Sequence, residues 1–165
     1  MSTTAVHPAL ARLFSELADG AAEAGGAFAL NSGDIGLLRS LDRVSAGDAS
    51  RSVDGGATIA AHAQHLRYGL SLMNRWATHG GNPFADAKWD EAWSLSGVDE
   101  REWDEIRRGL RDEAHRWLTV LASPRTLTEL ELCGMIASIA HLAYHLGAIR
   151  QIAKGSRGPQ IGTFA

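Results

Sequence analysis

One cysteine, Cys133, occurs in 165 residues, so no internal disulfide can form. An apolar run follows it, which predicts a small core residue in a reducing, cytoplasmic compartment rather than a reactive thiol. Basic charge is equally scarce. Sixteen Lys and Arg stand against nineteen Asp and Glu, for a formal charge of -3, and offer no positive field to hold nucleic acid. The first residues, Met1-Ser-Thr-Thr-Ala-Val-His-Pro, lack a basic segment and an apolar h-region, so neither secretion nor membrane insertion is signalled. The longest weakly charged stretch, Leu132 to Ile149, contains Cys, Gly, Ser, Tyr and two His. It reads as a poor lipid span and a good buried helix, and no membrane association is expected. No segment keeps a period of two between hairpin turns, and no repeat of solenoid length is visible, which leaves an all-α fold.

What the chain does have is glycine, eighteen residues of it, most of it gathered between periodic segments, at Gly25-Gly26, Gly33, Gly55-Gly56, Gly80-Gly81, Gly97, Gly155 and Gly158. These clusters punctuate four long helical patterns. The first runs from about Pro8 to Glu23, with Leu10, Leu13, Phe14, Leu17 and Ala21 on one stripe. The second spans about Thr58 to Thr78 on Ile59, Ala63, Leu66, Leu70, Met73 and Ala77. The third follows Gly97, repeats Trp103, Ile106, Leu110, Trp117 and Leu121, and stops before Pro124. The fourth runs from about Thr128 to Lys154.

Between the first two, Ile35 to Leu41 predicts a turn or two of helix inside a crossover of roughly thirty residues, an arrangement that points to a four-helix bundle. The length fits a single domain over 1–165, with 155–165 as an extended C-terminal tail. Between helices two and three, Asn82-Pro83-Phe84 leads to Trp89 and Trp93, an i,i+4 pair on one side of a short helix. Such a pair either caps the end of a core or lines a pocket mouth.

Seven histidines carry whatever chemistry the chain has. Projection at roughly 100° per residue puts His115 opposite its helix's apolar stripe, while His79 lies at a helix end beside Gly80-Gly81 and His7 at a fraying terminus. None of these is a candidate. His141 and His145 are spaced i,i+4, which sets two imidazoles on one face about 6 Å apart along the axis, where they can converge on one ion. Gly134, Ala137, Ser138 and Ala148 share that face and leave the rings room. Two imidazoles buried together need acceptors or a metal, and spacing alone does not choose between an ion and two histidines bonded to carbonyls or water. A third ligand must come from another helix, and the second offers His62 and His65. Projection sets His62 near the centre of the apolar arc and His65 at its edge, beside Gly69, Leu72 and Trp76. An edge position suits an ion that keeps an open face for water or substrate.

Thr58-Ile59 with a histidine seven residues on and Leu66 after it, followed far downstream by His141-Leu-Ala-Tyr-His145-Leu-Gly-Ala-Ile-Arg-Gln, resembles the DinB-like superfamily. That superfamily takes in the DinB and YfiT-like proteins and the mycothiol-dependent maleylpyruvate isomerases. The resemblance implies a four-helix bundle with one metal ligand midway along the second helix and two at i,i+4 on the last, here His65, His141 and His145. It further implies a divalent ion, a homodimer and a small-molecule or thiol substrate. The likeness follows helix order along the chain, but only the two histidine segments are specific. His62 stays a rival third ligand or a supporting partner.

Several chemistries are excluded by residue type. A zinc protease needs glutamate after the first histidine of His-x-x-x-His, and Leu142 stands there. Di-iron bundles need Glu three before each histidine, whereas His62, Ser138 and Leu142 fill those positions. Neither a Walker pattern nor a strand-bound G-x-G-x-x-G occurs, against ATP and nicotinamide chemistry. An ion with neutral ligands keeps its double charge and can stabilise a thiolate or hydroxide without a carboxylate base, so a metal-dependent transferase or hydrolase is the first expectation, the thiol-dependent form being what the resemblance implies. A non-catalytic, stress-associated or structural dimer is the second. Imidazole suits Zn, Ni and Fe alike, and no catalytic residue is assigned. The surplus of Tyr68, Trp89, Trp93 and Leu95 over what a small bundle buries adds to the expectation of a dimer.

Overall fold

In this computed structural model, residues 5–21 and 26–153 are described, and among them seven helices and no strand occur. They are α1 (Val6–Asp19), α2 (Gly36–Leu41), α3 (Ala46–Ala49), α4 (Ile59–His79), α5 (Trp89–Trp93), α6 (Glu100–Ala122) and α7 (Glu129–Ile152). The all-α expectation holds, and the four long helices fall where the apolar periodicities put them. Their ends follow from capping. The Thr58 hydroxyl accepts from the Ala61 N–H at 3.1 Å to open α4. Thr128 and Glu131 form a reciprocal capping box at the start of α7, a device worth about 1 kcal/mol. Gly80, at φ 68°, closes α4 through its N–H to the Trp76 carbonyl.

By its contacts the chain divides into two compact units. One comprises residues up to Arg43 together with those from Leu121 on, and contains α1, α2 and α7. Here α1 ends at Asp19, four residues short of the expected Glu23, which lies outside the described residues. The reason is steric. Gly20 and Gly36 both have positive φ, and a Cβ on Gly36 would stand 2.4 Å from the Gly20 nitrogen. The chain therefore leaves α1 at Gly20 to pass backbone against backbone at the start of α2.

Behind this crossing, Asp34 accepts from Gly36 N–H at 2.9 Å and receives both terminal nitrogens of Arg150, at 2.6 and 2.9 Å, with its side chain only 2% exposed. Glu16, also buried, accepts the N–H groups of Phe28, Ala29 and Leu30 and so holds a segment that has no helix of its own. His7 corrects the expectation of a frayed terminus. It is 3% exposed, with Nδ1 3.0 Å from the Leu121 carbonyl and Nε2 2.9 Å from that of Arg125.

The other unit, Val44–Val120, holds α3, α4, α5 and most of α6. Trp103, Ile106, Leu110 and Trp117 of α6 are all buried, as their spacing predicts, and so is Leu121, which belongs to the first unit. The Trp103 indole N–H donates to the Val44 carbonyl at 2.7 Å. Asn74 of α4 donates to the Glu113 carbonyl and carboxylate at 3.0 and 2.7 Å, and Gly109 leaves room for the Arg67 guanidinium, whose Nε a Cβ would meet at 2.4 Å. Thus polar groups join α4 to α6.

Two expectations for α7 fail together. The helix is not buried all round: only Met135, Leu142, His145, Leu146 and Ile149 are enclosed, while Leu130, Ile136 and Tyr144 are 73%, 51% and 67% exposed. Cys133, expected in the core, lies exposed on that outer side. No charge falls between Leu132 and Ile149, so nothing in composition marks which side faces water. Among the described residues α7 is also the one helix long and apolar enough to cross a membrane. The expected continuation to Lys154 and the tail 155–165 lie outside the described residues.

Candidate metal centre

His141 and His145 stand one turn apart on α7, and their Nε2 atoms approach to 3.1 Å. Two ring nitrogens that close cannot both carry hydrogen on the facing side: one donates and the other accepts, or an ion takes the place of the shared proton. Two nitrogens bound at about 2.05 Å to a tetrahedral ion lie roughly 3.3 Å apart, close to what the pair shows. His145 is 1% exposed, with the Tyr144 ring edge-on at 5.0 Å. His141 is open to solvent as a residue, yet desolvation of its ring still lowers its pKa. At neutral pH its imidazole is therefore uncharged, the form that ligates.

On α4, His65 is 6% exposed and His62 8%. The projection that set His62 at the centre and His65 at the edge does not translate into a difference in burial. The cause is α5. Trp93 stacks on His65 at 4.2 Å between ring centroids and 25° between planes, Trp89 lies at 5.3 Å and 45°, and together they cover the edge of α4. The two tryptophans thus pack around the histidines rather than closing off an apolar core. Their i,i+4 spacing was the available signal for this shared contact with the histidines. His62 meets the edge of Trp93 at 5.3 Å, and burial lowers its pKa. Gly69, one turn beyond His65, opens onto free space: a Cβ there would meet nothing within 4 Å.

One ring nitrogen from each of His65, His141 and His145 lies within 4.8 Å of the other two, so this group could hold a metal ion. The donor set fits a borderline divalent cation: three neutral imidazoles, with no carboxylate in the group. His62 is not a member of it. The histidines set aside in the sequence stand elsewhere, His115 and His79 exposed on α6 and at the end of α4, and His7 bonded to backbone carbonyls. No protein-family model matches the chain, and comparison with curated proteins and with solved structures finds no similar protein.

Proposed function

We propose that the chain is a DinB-like four-helix-bundle protein, with the crossover between its first two long helices, that binds one divalent ion, Zn, Ni or Fe, through His65, His141 and His145. In this reading the ion serves a transferase or hydrolase reaction on a small-molecule or thiol substrate. The observation that carries it is the grouping of three imidazole nitrogens within 4.8 Å. Three protein ligands would leave a coordination position for a thiolate or water, and an ion with neutral ligands would retain its charge to stabilise either. The open space at Gly69 supports an accessible site. The chain's own part is to hold the imidazoles aimed; no side chain is assigned as acid or base. The same proposal makes the protein a cytoplasmic homodimer without nucleic-acid or membrane partners.

The 3.1 Å approach of His141 to His145 also favours a second reading, a non-catalytic bundle in which the pair shares one proton or an ion merely staples the helices. Elemental analysis of purified protein, followed by calorimetric titration with zinc after chelation, decides between site and no site. About one ion per chain is expected. A protein that stays metal-free and takes up no zinc overturns the proposal, and a fourth protein ligand in the loaded state moves it to the stapling role.

A further inference from the structure

Tryptophan 93 has no part in the proposed coordination, yet it makes the closest ring contact that His65 has within its unit. An imidazole has two torsions to fix, and the second, which turns the ring about its own axis, is soft. For His65 that rotation is opposed on one face by Trp93, nearly parallel at 4.2 Å, and laterally by Trp89 at 5.3 Å. Turning the imidazole out of its plane would drive its edge into the Trp93 indole.

The indole is itself held. Ala92 of α5 is 4% exposed and pins the short helix, the Lys88 N–H donates to the Tyr68 hydroxyl at 2.9 Å, and the Thr58 hydroxyl donates to the Leu95 carbonyl at 3.3 Å. Thr58, His65 and Tyr68 are spaced seven and three apart, so one face of α4 carries both the histidine and the anchors of the segment that covers it. Trp93 keeps 37% of its surface in water, more than a residue needed chiefly to fill a core would keep.

We infer that Trp93 is a positioning residue: its indole fixes the ring plane of His65 and so pre-organises this imidazole for a divalent cation. The inference rests on the metal reading above and adds to it a residue that touches a ligand rather than the ion. Removing such a neighbour weakens metal affinity by roughly 10- to 100-fold.

The test uses the full-length protein in two arms. In the metal-free state the carbon-bound ring protons of His65, assigned by loss of the signals in His65→Gln, are expected to be shifted upfield by the Trp93 ring current. Trp93→Leu should abolish the shift and Trp93→Phe should keep part of it. In zinc titrations by calorimetry, Trp93→Leu should bind roughly 10- to 100-fold more weakly and Trp93→Phe within a few-fold of the parent. Unshifted His65 protons in the parent overturn the stacking without any variant. A folded Trp93→Leu protein that binds zinc as tightly as the parent overturns the positioning role and leaves the metal site standing. Shifted His65 protons in a parent that binds no zinc overturn the metal reading itself, and the positioning role with it.

Discussion

Helices α4 and α7 each begin at a threonine cap and each bring histidine to the candidate centre, yet they were unequally readable. On α4 the apolar stripe is interrupted by Gln64, Arg67, Asn74 and Arg75, and the residues of the stripe from Ile59 to Met73 are buried as the pattern demands. On α7 nothing from Leu132 to Ile149 is charged, and only one side of the helix is enclosed. Hydropathy locates a buried face by contrast, and where there is no contrast it names the helix but not its orientation. The histidines follow the same division: His65 lies under tryptophans and His141 is open to solvent.

The largest effect is expected where α7 does carry charge. Arg150 donates two hydrogen bonds to Asp34, whose side chain is almost wholly buried. Removing one partner of a buried pair leaves the other charge uncompensated, at a cost of about 3–5 kcal/mol. Urea denaturation of Arg150→Met should show a loss of that size. Arg150→Met combined with Asp34→Asn should lose less than the two single losses added. Strict additivity in this cycle would mean that the pair contributes nothing as a pair.

Next in size is the contrast between the two histidines of α4. His65→Ala should weaken zinc binding by more than 100-fold, beyond what loss of a supporting neighbour costs, whereas His62→Ala should weaken it by at most roughly 10- to 100-fold. His62 touches the edge of Trp93 and lies outside the three-nitrogen group. A His65→Ala protein that titrates like the parent would transfer the ligand role to His62, which sequence projection had left open.

Much of this molecule was legible in its residues, for identifiable reasons. Four amphipathic or capped segments gave four long helices, and i,i+4 spacing gave the His141–His145 pair, because both are local properties of one helix. His65 is singled out by motif, and it belongs to the histidine group that could hold an ion. What escaped was contact across long stretches of chain. His7 finds its carbonyls at Leu121 and Arg125, and Asp34 finds Arg150. Gly36 was unremarkable until its neighbour Gly20 was in place. Cys133 is exposed because the apolar residues following it belong to two sides of a helix rather than to one core.

The smallest effect on stability, and the sharpest test of the uncharged helix, lies on that outer side of α7. The surplus of aromatics on and near α5 suggested a dimer, but Trp89, Trp93 and Tyr68 are engaged with His65 and with one another. Unsatisfied apolar surface lies instead at Leu130, Ile136 and Tyr144, all on one helix and all more than half exposed. If two copies associate through this face, Tyr144→Lys should leave the melting transition almost unchanged at concentrations low enough for both proteins to be monomeric, since an exposed substitution is worth within about 0.5 kcal/mol. It should nonetheless convert a dimer to a monomer, because a lysine ammonium buried between two apolar helices has no partner to offset its desolvation. Sedimentation equilibrium at micromolar concentration reads the mass directly. A parent of monomer mass ends the dimer expectation, and a Tyr144→Lys protein still dimeric moves the interface to another surface. A large loss of stability in the variant would mean that Tyr144 packs within its own chain, so that α7 is buried more nearly all round, as its composition first implied.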